Sequence, residues 1–441
     1  MNTFFLSFLL LFLINSETET TPKSEVKMII NLFRHGARTP TKMRPEFGKY
    51  FTESEPGKLT QNGFRQMVML GKVLRNLYVN NKAPEFKNFI DINKINEQFL
   101  LISSPYPRAI ESGVAYSLGL FPEYIYKIHD LNNLLQDDNS LPPILENKSD
   151  EMTHLTGKQF NFLIENKDRD VIFHSRRCVF PEHIYSESSS IKYELNDDFI
   201  LDEDRKLIYE FYKDHFNVTL AGLDHNGLTD KLARSLYTGL RCINFNIKNK
   251  ITIPKSIHVN LKKIFAYYLF KKRTDNDEVT KIASSPFLDH LLEFFDHKVL
   301  NREENLDFYH LKDFCYKDLR FVSYSGHDYN LVALIKNLLQ MDTISHYINN
   351  IHLYHKHLII PFGSTFDFHL IKYSNGEFYV KMFLNGEEIF EKIRSHTIDG
   401  EIIYEKEKGI PYKTFRKIIK GRIFEKYKHC IHTKKIKKED K

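Results

Sequence analysis

Two short apolar segments, one near each end of the chain, each lead directly into a loop that carries a histidine. The first, Val26–Phe33, has the length of a β-strand and continues into Arg-His-Gly-Ala-Arg-Thr-Pro at residues 34–40. The second, Leu319–Tyr324, continues into Ser-Gly-His-Asp at residues 325–328 and then into the apolar, helix-length segment Leu331–Met341. A strand followed by a loop and a helix is the repeating pattern of an α/β fold, which places such loops at the carboxyl edge of its sheet, where ligands bind.

Further segments extend this pattern. Strands are predicted at Phe99–Ser103, Thr365–Lys372 and Phe378–Leu384, the last two joined by a Ser-Asn-Gly turn at residues 374–376. A helix is predicted at Ala109–Leu120, and Thr60 is a candidate cap for an earlier helix. That earlier helix has one buried face, because its apolar positions recur at steps of three and four residues. These positions are Phe64, Met67, Val68, Gly71, Leu74 and Tyr78.

The length and composition of the chain indicate a large soluble protein. At 441 residues it exceeds what one small core organises, and 42% hydrophobic with 27% charged residues is typical of a globular enzyme. The segment 131–310 is polar, helical where it is periodic, and interrupted by polar loops. We predict an α/β fold with a central mixed sheet flanked by helices, formed by residues 24–130 and 311–441. A second, mostly helical cap domain is predicted to be inserted at 131–310.

The first 16 residues are predicted to be a signal peptide. Their apolar core of about ten residues is too short to span a bilayer, and no later segment approaches membrane-spanning length. Asn147 and Asn217 begin glycosylation sequons, which fit a soluble protein that is secreted or lysosomal. The four cysteines are too widely spaced for a zinc or redox motif, and in an oxidising compartment they can form two disulfides by any of three pairings. They are Cys178, Cys242, Cys315 and Cys430.

The chain has a net charge of +6, and its last stretch, Lys413 to Lys441, is rich in Lys and Arg. A basic stretch of this kind can bind nucleic acid or an anionic membrane surface. No recognition motif accompanies it, so a solvated helix and tail is the favoured interpretation. No nucleic-acid partner is expected.

The residues of the two histidine loops suit the binding of a phosphate dianion. Arg34 and Arg38 flank His35, and guanidinium groups offer planar pairs of donors to phosphate oxygens. An imidazole among them can attack phosphorus and carry the phosphoryl group between two steps. Arg108 follows the predicted strand 99–103, and the second loop supplies another imidazole and a carboxyl group that can protonate a leaving alkoxide. Arg-His-Gly-x-Arg-x-Pro is rare by chance, whereas Arg108 or the His-Asp pair alone is not specific. The combination indicates one anion pocket, and a carboxyl group that must be protonated predicts an acidic pH optimum.

In these motifs the sequence resembles the histidine acid phosphatases, the branch of the histidine phosphatase superfamily that includes prostatic and lysosomal acid phosphatases and phytases. Arg-His-Gly-x-Arg-x-Pro at residues 34–40 matches the family signature, and Gly-Lys-Leu-Thr-Gln-Asn-Gly at 57–63 resembles the helix start that follows it. Ser-Ser at 103–104 with Arg108 resembles the segment that carries a third arginine, and His-Asp at 327–328 resembles the closing motif.

The resemblance implies a role for each of these residues. It implies that His35 is the phosphorylated nucleophile and that Asp328 is the proton donor. The implied phosphate-binding residues are Arg34, Arg38, Arg108 and His327. The implied disulfides are Cys242–Cys315 and Cys178–Cys430. No cluster of His, Asp and Glu has metal-ligand spacing, so neither a metal nor another cofactor is expected.

The favoured function is acid phosphatase activity on small phosphate monoesters. A broad acid phosphatase, a phytase and a lysophospholipid phosphatase stay open as subclasses. The alternative from another class is a protein that keeps this fold and binds phosphate or lipid without turnover, which the presence of His35 and Asp328 disfavours. A mutase acting on sugar phosphates is disfavoured by the signal peptide. Dimers occur in the family, so a homodimer also stays open.

Overall fold

The computed structural model of this chain has a central sheet with helices packed against it. It describes residues 24–51, 55–80, 83–122, 127–128, 161–165, 172–173, 202–216, 230–247, 251–274, 277–301, 317–339, 360–389, 407–425 and 427. The predicted signal peptide, both sequons (Asn147, Asn217) and the cysteines Cys178, Cys315 and Cys430 lie outside these ranges. None of the helices within the ranges has the length and apolarity that a membrane span requires.

The described strands form one mixed sheet. They are β1 (Ser24–Arg34), β2 (Phe99–Ser103), β3 (Lys127–Ile128), β4 (Asn161–Ile164), β5 (Phe321–Gly326), β6 (Thr365–Tyr373), β7 (Phe378–Leu384), β8 (Glu387–Glu388) and β9 (Ile410–Pro411). Their order is β3-β4-β2-β5-β1-β6-β7-β8, with β9 paired to β7. Neighbours from β3 to β1 are parallel, whereas β6 is antiparallel to β1 and the pairs beyond it are antiparallel as well. The predicted mixed sheet is confirmed.

Helices occupy the connections. They are α1 (Pro45–Gly48), α2 (Gln61–Leu74), α3 (Ile95–Gln98), α4 (Pro107–Leu120), α5 (Asp202–Phe216), α6 (Asp230–Asn246), α7 (Lys255–Thr274), α8 (Asp277–Leu300), α9 (Asp328–Leu339) and α10 (Tyr412–Arg422). Thr60 caps α2 as predicted, since its side-chain oxygen accepts a hydrogen bond from the backbone N–H of Gly63 at 3.1 Å. The predicted apolar face of α2 is buried, except that Phe64 is only partly covered.

The two faces of the sheet carry separate hydrophobic clusters, because successive side chains of a strand point to opposite faces. Ile29 and Phe33 of β1 pack in a cluster with residues of α2 and α4. Ile30 and Leu32 pack in the other cluster, with residues of α8, α9 and α10. The apolar run in β1 is thus buried on both faces, as parallel central strands generally are.

A third hydrophobic cluster lies among α5, α6 and α7 and includes Phe47 of α1. These three helices fall within the predicted cap, 131–310. Two other elements of the range 131–310 belong to the sheet or pack on it. Strand β4 pairs with β2, and α8 places Phe287 and Phe295 in one of the hydrophobic clusters on the sheet. The division into a core and an inserted cap domain stays a prediction.

Element bounds matter most where they place chemistry. The strands β2 and β7 have the predicted bounds, and β5 begins at Phe321, two residues later than expected. Helix α9 begins at Asp328, three residues before the predicted Leu331, so no loop separates His327 from the helix. The backbone N–H of His327 donates to Oδ1 of Asn330 at 2.9 Å, which fixes this strand-to-helix junction.

Candidate active site

The site begins where three neighbouring parallel strands end. In the sheet β5 lies between β1 and β2, so the carboxyl ends of all three meet at one edge. Beyond the strands, the backbone N–H of His35 donates to the carbonyl of Gly326 at 3.0 Å. The N–H of Ser104 donates to the carbonyl of Ser325, also at 3.0 Å. These bonds join the three loops, so the sheet places their side chains together.

His35 is held as a neutral imidazole with its electron pair on Nε2. Its Nδ1 lies 2.8 Å from the carbonyl oxygen of Gly36, and because a carbonyl only accepts, Nδ1 carries the hydrogen. Nε2 in turn accepts a hydrogen bond from Nε of Arg108 at 3.2 Å. Burial, followed by the charges of Arg108 and Arg34, lowers the pKa of His35 well below its usual value. Nε2 of His35 is therefore unprotonated.

Two glycines explain how the loop that contains His35 reaches this position. A Cβ atom on Gly36 would lie 2.5 Å from the carbonyl oxygen of Gly63. A Cβ on Gly63 would lie 1.9 Å from the carbonyl oxygen of Ala37. The loop and the first turn of α2 thus touch backbone to backbone, which only glycine permits at both positions. The two sequence motifs that carry these glycines are in direct contact.

Arg34 is 2% exposed and lies between a carboxylate, a carbonyl and a ring. Its Nη2 forms an ion pair with Oδ2 of Asp328 at 2.9 Å, and Nη1 donates to the carbonyl of Ile360. The guanidinium lies over the ring of Phe362, 4.2 Å from its centroid. Burial lowers the pKa of Arg34 to about 9, although Asp328 acts in the opposite direction. Its Nε has no hydrogen-bond partner among the described residues.

Arg38 and Arg108 complete a group of three guanidiniums. Nη1 of Arg38 donates to the carbonyl of Thr39 at 2.7 Å, and its buried Nε has no partner in the described part of the chain. Arg108 lies between the two imidazoles, with Nη2 3.5 Å from Nδ1 of His327. Burial and then the charge of Arg38 lower the pKa of Arg108 to about 10. Two buried guanidiniums, each with an unused Nε, beside the half-buried guanidinium of Arg108 favour an anion between them.

His327 is fixed on the opposite side of Arg108 from His35. Its Nε2 lies 2.9 Å from the hydroxyl of Ser104, and its ring packs between the rings of Tyr106 and Tyr329, at 5.4 and 5.1 Å. The rings of the two histidines are 5.5 Å apart, edge to face. The next residue, Asp328, is the first of α9 and the carboxylate of the group.

The structure therefore brings together all six residues that the sequence singled out for chemistry. They are Arg34, His35, Arg38, Arg108, His327 and Asp328. Sequence reasoning missed Phe362 and Arg241, whose guanidinium lies 5.6 Å from the Phe362 ring. Neither residue belongs to a motif, and Arg241 reaches the site from α6. No cluster of three or more potential metal ligands occurs in the described ranges.

The expected disulfide of Cys242 with Cys315 is not formed here. Cys242 is a free thiol, fully buried on α6. Its Sγ lies 4.0 Å from Nη1 of Arg38, so this side chain packs against the arginine cluster. Burial raises the pKa of the thiol, while the neighbouring Arg38 and Arg241 lower it.

Comparison with known proteins extends these observations. A Caenorhabditis elegans protein named as an acid phosphatase is 36% identical over 92 residues, which are 21% of this chain and 20% of that protein. Mouse testicular acid phosphatase is 32% identical over 120 residues, 26% of each chain. The matched part thus spans about a quarter or less of these relatives.

Similarity of structure extends further along the chain. The apo form of the Hafnia alvei phytase superposes with a TM-score of 0.59 at 14% identity, over 93% of this chain and 99% of the phytase. At this identity the likeness shows a shared fold. The model of the histidine phosphatase superfamily (branch 2) matches residues 25–385, which include every residue of the site described above. The chain belongs to the histidine phosphatase superfamily, branch 2.

Proposed function

We propose that this protein is an acid phosphatase that hydrolyses small phosphate monoesters through a covalent phosphohistidine on His35, with Asp328 as proton donor. The observation that carries the proposal is the state of His35: a neutral imidazole, its electron pair on Nε2, among three guanidiniums. Positive charge around a nucleophile stabilises the negative charge on the equatorial oxygens of a transferring phosphoryl group.

Two steps follow from this arrangement. In the first, Nε2 of His35 attacks phosphorus, the bond between phosphorus and the ester oxygen breaks, and the leaving alkoxide takes a proton from Asp328. In the second, water attacks phosphorus and gives a proton to the Asp328 carboxylate, and the P–N bond breaks to release phosphate. Arg34, Arg38, Arg108 and His327 bind the phosphate oxygens. The imidazole and the carboxyl group end in their starting states.

The contact between Arg34 and Asp328 relates substrate binding to proton donation. Without substrate the two groups form an ion pair at 2.9 Å. A phosphate dianion that binds Arg34 competes for the same guanidinium, which favours protonation of the released carboxyl group. The low pKa of His35 keeps the nucleophile unprotonated in mildly acidic solution. An acidic pH optimum is therefore consistent with an unprotonated His35 and a protonated Asp328.

The first experiment is an assay of phosphate release from an aryl phosphate across pH 4–8 in the presence of EDTA. The wild-type protein is expected to show chelator-resistant activity that is highest at acidic pH, and His35→Ala is expected to show none. His215→Ala is the matched control, because His215 is an exposed histidine of α5. A phosphorylated form of the wild-type protein should also be trapped during turnover. Its phosphoryl group should be stable in base and released by acid. A folded wild-type protein without turnover would leave the phosphate-binding alternative, and an active His35→Ala protein would exclude His35 as the nucleophile.

The cellular location and assembly of the enzyme are part of the proposal. The apolar leader at residues 1–16 and the sequons at Asn147 and Asn217 support entry into the secretory pathway, with a secreted or lysosomal product. Endoglycosidase treatment should shift the gel mobility of the wild-type protein but not that of the Asn147→Gln, Asn217→Gln double variant, which would test glycosylation. The homodimer stays a prediction.

A further inference from the structure

Gln66 of α2 connects the loop that contains His35 with the segment that precedes β6. Its Oε1 accepts a hydrogen bond from the backbone N–H of Ala37 at 3.1 Å, and its Nε2 donates to the carbonyl of Phe362 at 2.7 Å. A backbone N–H only donates and a carbonyl only accepts, so these two partners fix the orientation of the side-chain amide. The amide of this half-buried side chain is therefore held at both of its ends.

The hydrogen bond from Ala37 acts on the peptide group that contacts the imidazole of His35. The carbonyl of Gly36 accepts Nδ1–H of His35 at 2.8 Å, and the N–H of the same peptide group donates to Gln66. In a trans peptide the N–H and C=O groups point in opposite directions. Holding the N–H on α2 therefore aims the carbonyl at Nδ1. Hydrogen bonds in such a chain also polarise one another, which strengthens the bond to Nδ1.

Helix α2 is itself fixed against this loop. The carbonyl of Ala37 accepts hydrogen bonds from the backbone N–H and the hydroxyl of Thr60, at 3.0 and 3.1 Å. Gly63, three residues before Gln66, touches Ala37 backbone to backbone. Helix α2 thus holds Ala37 at both its N–H and its carbonyl, so Gln66 cannot follow a rotation of the peptide group.

The second hydrogen bond of Gln66 holds the segment whose ring covers Arg34. The centroid of Phe362 lies 4.2 Å from the guanidinium carbon of Arg34 and 5.9 Å from the centroid of the His35 ring. The backbone N–H of Gly363 donates to the carbonyl of His35 at 3.4 Å. A Cβ atom on Gly363 would lie 3.2 Å from Nε2 of Gln66, so this segment packs closely on the amide. One side chain thus contacts both segments that surround the imidazole.

We propose that Gln66 is a positioning residue for the reaction, which holds His35 in the tautomer that leaves the electron pair on Nε2. This proposal rests on the proposed function and names a residue on which the nucleophile depends. Without Gln66 the N–H of Ala37 loses its acceptor, and the peptide group can turn its carbonyl away from Nδ1. The hydrogen can then move to Nε2, because the partner of one ring nitrogen decides which nitrogen carries it. A protonated Nε2 cannot attack phosphorus.

The test measures both the tautomer of His35 and the activity of Gln66→Met, which keeps the volume of the side chain and removes both hydrogen bonds. In full-length protein with ¹⁵N-labelled histidine, the Nε2 signal of His35 is the one that His35→Ala lacks. At pH 6 the wild-type signal should lie downfield, where ring nitrogens without a hydrogen resonate, and it should weaken in Gln66→Met. For an alkyl phosphate kcat should fall about ten- to hundredfold, as is typical when a group that orients a functional histidine is removed.

Three further variants separate the effect on the tautomer from a loss of structure. Gln61→Met is the matched control, because Gln61 is an exposed glutamine of the same helix. Gln66→Glu keeps an oxygen that accepts from Ala37, so it should retain the downfield signal and recover most of the activity. If Gln66→Met does not fold, Gln66→Lys replaces it. A lysine can donate to the Phe362 carbonyl but cannot accept from Ala37, so the same weakening of the signal is expected.

The proposal would be overturned if Gln66→Met kept the wild-type Nε2 signal, since any loss of activity would then be structural. It would also be overturned if the signal weakened without a fall in kcat, or if Gln66→Glu lost the signal. Failure of the proposed function is detected separately, because the ring nitrogen reports the tautomer whether or not an ester is hydrolysed. A wild-type protein with the downfield signal and no turnover would contradict the proposed function alone.

Discussion

The site has a sheet side and a helix side that are built in different ways. The sheet side consists of residues 34–38, Ser104, Arg108, His327 and Asp328, which follow the ends of β1, β2 and β5. Backbone hydrogen bonds of 3.0 Å join these loops to one another. The helix side consists of Arg241, whose long side chain extends from α6 and donates to the Ile360 carbonyl at 3.3 Å.

This difference indicates a division of labour between the two sides. Bond-making groups must be placed within fractions of an ångström, and the backbone at the edge of a sheet supplies that precision. Arg241 acts on Arg34 through its charge, and such an interaction tolerates the looser placement of a long side chain on a helix. Substitutions on the sheet side should therefore affect rate constants and stability more strongly than substitution of Arg241.

The largest effect is expected for Asp328→Asn, which removes the proposed proton donor. For an alkyl phosphate, kcat/KM should fall by about 10²–10⁴, because the alkoxide leaves poorly without a proton. For 4-nitrophenyl phosphate the fall should be much smaller, since nitrophenolate leaves as the anion. The control is Asp214→Asn, an exposed aspartate of α5. An equal loss with both esters would mean that Asp328 acts only by holding Arg34 through their ion pair.

A second aspartate besides Asp328 lies in the sheet that carries the sheet side: Asp367 of β6, which is paired with Asn31 of β1. Burial raises its pKa to about 7, although hydrogen bonds from Asn31 and Thr365 act in the opposite direction. The unfolded chain loses this proton at about pH 4. Between these pH values the native state keeps a proton that the unfolded state has released, so raising the pH destabilises the protein. The effect is on the order of 4 kcal/mol over the whole window.

Asp367→Asn should abolish this part of the pH dependence. Urea unfolding of both proteins at pH 4.5 and pH 8 gives the difference in their free energies of unfolding. The buried histidines titrate alike in both proteins and cancel in the difference. The wild type should lose stability relative to the variant as the pH rises, and pH curves that run parallel would exclude a protonated Asp367.

The sheet side could be predicted from sequence because its signals are local. A buried strand that runs straight into Arg-His or His-Asp places those residues at a sheet edge, and glycines mark the close contacts. The strands β2 and β7 even have the predicted bounds. The helix side could not be predicted, because nothing local shows which surface α6 packs against. For the same reason neither the packing of α8 on the sheet nor that of the free thiol of Cys242 against Arg38 could be predicted.

A third prediction concerns the backbone contact that supports His35. In Gly63→Ala the new Cβ would lie 1.9 Å from the carbonyl oxygen and 2.7 Å from the nitrogen of Ala37, both backbone atoms. We expect the free energy of unfolding to fall by about 3 kcal/mol, and activity to fall as the loop is displaced. Gly421→Ala is the control, since this helical glycine of α10 has nothing within 4 Å of its Cβ position. It should stabilise the protein by up to about 1 kcal/mol. Similar stabilities for the two variants would show that the loop yields at little cost.

The smallest effect is expected at Thr60, where the two sides of the site meet. Its hydroxyl accepts the N–H of Gly63 and lies 2.6 Å from Oδ1 of Asn246, the last residue of α6. Thr60→Ala should lower the free energy of unfolding by about 1 kcal/mol, as loss of a helix cap does, whereas Thr60→Ser should retain most of it. A double-mutant cycle with Asn246→Ala separates the cap from the link to α6. If the link orients α6, the two substitutions should be coupled by about 0.5 kcal/mol or more. Strictly additive losses would mean that the contact between Thr60 and Asn246 does not position α6, and that its apolar packing and its other hydrogen bonds, such as that from Asn62 to the Asn246 carbonyl, do so.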